Sequence, residues 1–234
     1  MLIQYIVLAL IPVVLLLSFL YITDRFNKEP AKLLLKLFIL GFLSAAPIVL
    51  LENILSSFNI FSGIVAYAFE SFFVAGFIEE LFKRKIVLKF AYNNVAFDEK
   101  LDGIIYCAFT SLGFAAIENI LYIAFQTESF TNIALTRGLL SVPAHMLFAI
   151  TMGYYLSLAK FSDNKRKKDY YMRRALIEPI ILHGLYDFIL MTNANFLFVF
   201  IPYMFFLWFV NMKKLNKLHK LSKEQYKKDN KKLS

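Results

Sequence analysis

Polar surface is what this chain is short of. Charged residues make up 18% of its 234 positions and hydrophobic residues 59%, with a mean hydropathy of +0.59. Soluble domains sit nearer half apolar, with about a quarter of their residues charged, so a soluble globular domain is excluded. There is one cysteine, Cys107, which cannot close an internal disulfide and says nothing about compartment. Strict alternation of polar and apolar residues is absent, which excludes a transmembrane β-barrel. No His-Glu-x-x-His motif and no internal repeat is present, and histidine itself is scarce, with three in the chain.

What is abundant is long apolar runs. A helix crossing about 30 Å of hydrocarbon needs about 20 mostly apolar residues. Runs of this kind cover Leu2–Ile22, Leu33–Leu51, Ile60–Phe82, Asp102–Phe125, Gly138–Ala159, Ala175–Met191 and Phe196–Met212. They predict an all-α, polytopic transmembrane bundle of about seven helices. No basic residue precedes the first run and Arg25, Lys28 and Lys32 follow it, so it reads as an uncleaved helix with its N-terminus outside. Lys83-Arg84-Lys85, the loop from Lys165 to Arg174 and the tail from Lys213 then all fall on the cytoplasmic side, as the positive-inside rule requires. The connector from Glu52 to Asn59 has no Lys or Arg and falls outside. The net charge of +9 therefore reads as loop charge against membrane lipid, not as a nucleic-acid surface. One transmembrane catalytic domain, 1–212, and a basic, solvated cytoplasmic tail, 213–234, are expected.

Ionisable residues inside apolar runs cost roughly 2.5 to 3.5 kcal/mol each on insertion and need a reason to be there. Glu70, Glu79, Glu80, Glu118, His145, His183 and Asp187 are such residues, with Asn119 beside Glu118. Glu79 and Lys83, Glu80 and Arg84, and His183 and Asp187 are each four apart, so each pair can meet along one helix side. The glutamate pairs read either as an anchor at the cytoplasmic end or as part of a site; His183–Asp187 reads either as helix–helix glue or as an imidazole with its orienting carboxylate. Glu70 reads as packing or as the lining of a pathway. Two histidines and a glutamate can hold Zn²⁺ with one position left for water, while another glutamate serves as base.

Five ordered blocks carry a resemblance: Glu79-Glu80-Leu81-Phe82-Lys83, Phe97-Asp98-Glu99-Lys100-Leu101-Asp102-Gly103, Gly113-Phe114-Ala115-Ala116-Ile117-Glu118-Asn119, Pro143-Ala144-His145, and His183-Gly184-Leu185-Tyr186-Asp187-Phe188. Together they resemble the PrsW family of intramembrane proteases, relatives of the CAAX-protease and bacteriocin-processing membrane proteases. The match departs at Lys100, where the family often has proline. The resemblance implies a bacterial cell-membrane protease that makes the first, site-1 cut in a single-pass membrane anti-sigma factor and so starts release of an extracytoplasmic-function sigma factor under envelope stress. It places the functional glutamates at Glu79 and Glu80 and the functional histidines at His145 and His183, with Glu118 and Asp187 at motif positions. It implies either a divalent metal, expected to be Zn, or a metal-free glutamate–histidine mechanism.

From this follows an expected geometry. Glu80, Glu118, His145 and His183 should face one cavity and offer the metal ligands, backed by Asp187, Asn119 and Lys83, with Glu79 as base or as partner of Lys83. Straight helices with the run boundaries above oppose it. At about 1.5 Å per residue, Glu80 would lie about 30 Å from Ile60 and His145 only about 10 Å deep. A third helix that starts near Ala66 and continues to Tyr92, with Lys83 to Lys85 snorkelling, would bring them level. The residues alone leave two other readings open: an ion or proton-coupled transporter or channel, and a non-catalytic membrane scaffold.

Overall fold

The computed structural model describes residues 2–125, 137–192 and 198–233. All regular structure among them is helical and forms seven rods. The first is α1 (Leu2–Thr23). The second is α2 (Ala31–Leu43) and α3 (Ala45–Ser56), separated at Ser44. Pro47 lies in the first turn of α3 and has no N–H to give to the preceding turn, which accounts for the break. The third rod is α4 (Gly63–Ala68), a π-helical stretch (Phe69–Gly76) and α5 (Phe77–Phe90). The fourth is α6 (Asp102–Phe125). The fifth is a π-helical turn (Arg137–Ser141) leading into α7 (Val142–Lys160). The sixth and seventh are α8 (Lys165–Met191) and α9 (Phe200–Leu233).

Three rods among the described residues are long and apolar enough to cross a membrane: Ala31–Ser56, Asp102–Ala124 and Arg137–Lys160, with a shorter apolar helix at Ala9–Thr23. Their surroundings differ. The apolar window is 78% buried in the α7 rod and 72% in α6 but 33% in α2–α3, so α6 and α7 form the centre and α2–α3 lies at the rim. Gly153 and Gly103 let α7 and α6 approach to backbone contact; a Cβ on Gly153 would collide with the Gly103 carbonyl. Small residues serve membrane helices in this way because close backbones gain dispersion contact that lipid cannot supply. Gly184 seats the Phe72 ring against α8 and so draws the π-helical stretch of the third rod onto the sixth. Outward-facing Leu35, Ile39, Leu43, Phe205 and Phe209 are exposed, as a lipid-facing surface requires.

Several rods outrun the apolar runs that announced them. The third continues to Phe90, which lifts Glu80 into its middle. Lys83 does not snorkel: at 1% exposure it is one of the most buried side chains described. The outer connector expected from Glu52 is helical as far as Ser56. The sixth rod begins at Lys165, ten residues before the apolar run, where the Asn164 side chain accepts from the Lys167 amide and caps it. Phe196 and Leu197, the start of the seventh run, lie outside the described residues. The basic tail expected to be solvated continues α9; its Leu215, Leu218 and Ser222 are buried, and Ser222 accepts from the Leu101 amide of the α5–α6 connector.

Candidate active site

The two π-helical stretches stand immediately before the polar residues that matter. A π-turn inserts one residue and rotates everything after it by about 100° relative to an uninterrupted α-helix. Three residues beyond the first, Glu79, Glu80 and Lys83 all point into the bundle and are 6%, 1% and 1% exposed. Four residues beyond the second comes His145, also buried.

These side chains converge on one polar centre. Lys83 Nζ donates to Glu79 Oε2 at 2.9 Å and to Glu80 Oε1 at 2.8 Å, and lies 3.3 Å from His145 Nδ1. His183 Nδ1 lies 3.1 Å from Glu80 Oε1 and 3.9 Å from Glu79 Oε2, and its Nε2 is 3.2 Å from Asp187 Oδ2. His145 Nε2 is 2.8 Å from Glu118 Oε2, and the other oxygen of Glu118 receives Arg137 at 2.9 Å. The imidazole centroids are 5.4 Å apart. Aromatic rings hold them in place: Phe148 stacks on His183 at 4.9 Å and 20°, and Phe114 meets His145 edge-on at 5.7 Å. In a low-dielectric interior such pairs persist only when each charge finds a partner, and nearly every group here does.

Beside this centre opens a cavity of about 800 Å³ lined by residues of α3, the third rod, α6, α7 and α8. Glu118, His145 and His183 line it as expected from the sequence, and Asp187 sits on its wall. The assignment of the cavity-facing glutamate is corrected: Glu79 lines the cavity, and Glu80 does not. Glu80 is held behind it by Lys83 and by His183 of α8. The expected Glu80–Arg84 pair is also not formed; Arg84 donates to the Met172 carbonyl at 3.1 Å instead. Glu70 lines the outer part of the cavity, bonded to Ser56 and Asn59. Asn119 accepts from Arg137 and donates to the Ala9 carbonyl.

One set of donors fits a divalent metal. One ligand atom each from Glu79, His145 and His183 lies within 4.8 Å of the others, all three residues are buried, and two imidazole nitrogens with one carboxylate oxygen are a donor set that suits Zn²⁺. Glu79 takes the place in this set that Glu80 was expected to hold. Glu118, also expected as a ligand, is instead occupied by Arg137 and His145. Glu118 and Asp187 each face one imidazole nitrogen, the arrangement that orients metal-ligating histidines.

Sequence reasoning passed over two charged residues of the cavity, Arg137 and Glu52. Each sits at the edge of an apolar run, where a charged residue reads as an interfacial terminus.

A polytopic helical protein with buried carboxylates and imidazoles gathered beside a large intramembrane cavity has the makings of an intramembrane hydrolase. The comparisons place it more narrowly: the chain belongs to the PrsW family of intramembrane metalloproteases, whose family model matches residues 29–212. It is similar to Protease PrsW of Clostridioides difficile (strain 630), 41% identical over 94% of this chain and 93% of that protein. It is also similar to Protease PrsW of Bacillus subtilis (strain 168), 37% identical over 92% and 95%, and of Geobacillus kaustophilus (strain HTA426), 38% identical over 87% of each. No solved structure is a significant match.

Proposed function

We propose that this intramembrane protease makes the site-1 cut in a single-pass membrane anti-sigma factor of the bacterial cell membrane, the first step in freeing an extracytoplasmic-function sigma factor. The observation that carries the hydrolytic reading is the convergence of Glu79, His145 and His183 to within 4.8 Å at the wall of the cavity. An ion relay needs its ionisable groups in file across the membrane; here they meet at one level instead.

His145, His183 and Glu79 would hold the metal. When bound, it supplies Lewis acidity and lowers the pKa of a water molecule towards 7. The chain's own residues do the rest. Glu118 and Asp187 keep the imidazoles oriented, Phe148 and Phe114 exclude bulk water from their faces, and Glu79 and Glu80 share the Lys83 ammonium. A metal that takes Glu79 leaves Lys83 to Glu80 alone.

The orientation proposed for the chain is N-terminus outside and C-terminus cytoplasmic. Contacts across the bundle support it: Arg84 reaches Met172 and Lys160 reaches the Tyr92 carbonyl, so the basic ends of the third, fifth and sixth rods lie together. The part of the cavity lined by Ser56 and Glu70 then lies toward the outer face, where a site-1 cut belongs. The test is co-expression with a tagged single-pass anti-sigma factor, comparing wild type with Glu79→Ala and His183→Ala. Cleavage that depends on both residues supports the reading; equal cleavage by all three proteins refutes it.

A further inference from the structure

The cavity holds one polar group that this chemistry leaves unused. Helix α3 presents Ala45, Val49, Glu52 and Ser56 to it, the three- and four-residue spacing of a single helix face. The other carboxylates of the lining all have polar partners: Glu70 in Ser56 and Asn59, Glu79 in Lys83, Glu118 in Arg137 and His145, Asp187 in His183. Glu52 makes no hydrogen bond or ion pair with any described residue, and its Oε1 is closed off from solvent. The cations nearest this wall are already engaged, Lys83 by Glu79 and Glu80 and Arg137 by Glu118. Glu52 is half-buried, with one oxygen shut off from water and without a hydrogen-bond partner; leaving that oxygen unmatched is costly, and a cation that arrives with a ligand would match it.

We infer that Glu52 is a specificity residue, the receptor for a lysine or arginine side chain of the substrate close to the bond that is cut. The inference rests on the protease reading of the cavity. Its level in the cavity sets the distance. Ala45 and Ile48 cluster with Phe114, the ring that meets His145, and so mark the depth of the polar centre; Glu52 lies four to seven residues, about 6 to 10 Å, further along α3. An extended chain advances about 3.3 Å per residue, so the cationic residue falls within about three residues of the cut bond. The fixed charges of the lining agree. Lys83 offsets Glu79 and Arg137 offsets Glu118, which leaves Glu52 and Glu70 as lining carboxylates with no cation beside them, a balance that attracts a cationic side chain and repels an anionic one.

The test uses the full-length protein and the tagged anti-sigma factor, with lysine, alanine or glutamate placed in turn at each of the three positions on either side of the cut. At one position wild type should cleave the lysine form faster than the alanine form by about tenfold, the size of a modest charge-pair preference, and the glutamate form most slowly. Glu52→Gln, which keeps the shape, should bring the lysine-to-alanine ratio close to one, and Glu52→Lys should invert the order in favour of glutamate. As a readout independent of turnover, a cysteine at position 52 in a Glu79→Ala background should crosslink to a cysteine at that substrate position. A ratio unchanged in Glu52→Gln, an equal loss on all substrates, or no crosslink would overturn the inference. Failure of the underlying reading looks different: wild type would then cleave none of the panel.

Discussion

Lys83 on α5 and His145 on α7 meet across the polar centre, Nζ 3.3 Å from Nδ1, although 62 residues separate them in sequence. The same ammonium donates to Glu79 and Glu80. A cation built into the chain thus sits among the donors that suit a divalent metal, and the two must compete for Glu79. Removing the ammonium should favour the metal. In Lys83→Met the carboxylate pair has no compensating charge, so the metal-free protein is less stable than wild type. Zn²⁺ should then raise the unfolding temperature of the variant in detergent by more than it raises that of wild type, since binding to the folded state alone adds to its stability. An equal shift in the two proteins would show that lysine and metal do not share the site. Chelation should abolish wild-type cleavage, and added Zn²⁺ should restore it.

The neighbouring glutamates should separate when each is replaced. Glu79 lines the cavity, whereas Glu80 bridges Lys83 and His183 out of its reach. Glu79→Gln should lose cleavage by at least about 100-fold, because it removes a residue that would hold the metal, and should lower the unfolding temperature less than Glu80→Gln, because Glu79 opens onto the cavity and Lys83 keeps Glu80 as a partner. Glu80→Gln leaves buried charges without their common partner, a loss of about 3 to 5 kcal/mol, and should lower both cleavage and stability. Matching stability in the two variants would mean that the division of labour is wrong.

Arg137 offers a third check. It pairs with Glu118, which in turn holds His145. Arg137→Gln should reduce cleavage by about tenfold, the smaller end of what an outer-shell partner contributes, and Arg137→Lys should recover part of it by keeping the charge. No recovery in Arg137→Lys, or no loss in Arg137→Gln, would remove Arg137 from the support of His145.

How far the sequence could lead is visible in particular residues. The apolar runs announced the rods because a membrane span is a composition signal, and the scarcity of histidine singled out His145 and His183. The faces of Glu79 and Glu80 were not legible, because a π-helical stretch at Phe69–Gly76 shifts the register by one residue without any distinctive residue type. Burial of Lys83 was hidden for a related reason: Lys83-Arg84-Lys85 reads as a cytoplasmic flank, and only Lys83 turns inward. Rods that extend past their apolar runs, such as the start of α8 at Lys165 and the end of α9, are held by capping and by contact with neighbouring connectors, neither of which leaves an apolar run.

Orientation can be checked with reporter fusions at Asn59 and Asn164. They flank opposite ends of the bundle: Asn59 bonds to Glu70 of the cavity lining, and Asn164 caps the basic end of α8. The positive-inside distribution places Asn59 outside and Asn164 in the cytoplasm. A reporter active only outside should respond at Asn59 alone, and signals of the same sense at both sites would dismiss the seven-span orientation.

A second set of carboxyls lies in the α1–α2 and α5–α6 connectors. Asp24 and Glu29 in the α1–α2 connector and Glu99 in the α5–α6 connector are all buried. The Glu29 amide donates to Asp24 Oδ2 at 3.0 Å, and the Tyr106 hydroxyl donates to Glu29. Burial is the main cause that pushes Asp24 up to about 6, Glu29 up to about 7 and Glu99 up to about 7, from ordinary values of 3.8 and 4.5. Negative neighbours add to this: Asp24 and Asp98 act on Glu29, and Asp24, Asp98 and Asp229 on Glu99, while Lys28 acts in the opposite sense on Asp24. The folded state therefore keeps protons that the unfolded chain gives up. Below about pH 4 both states are protonated and these groups contribute fully; as pH rises through the folded values, about 6 to 7, that contribution is lost. The unfolding temperature in detergent should accordingly be higher at pH 5 than at pH 8, and the double variant Glu29→Gln, Glu99→Gln should flatten the difference by removing the ionisations. A wild-type protein no more stable at pH 5 than at pH 8, or a double variant that keeps the full pH dependence, would rule out this cluster as its source.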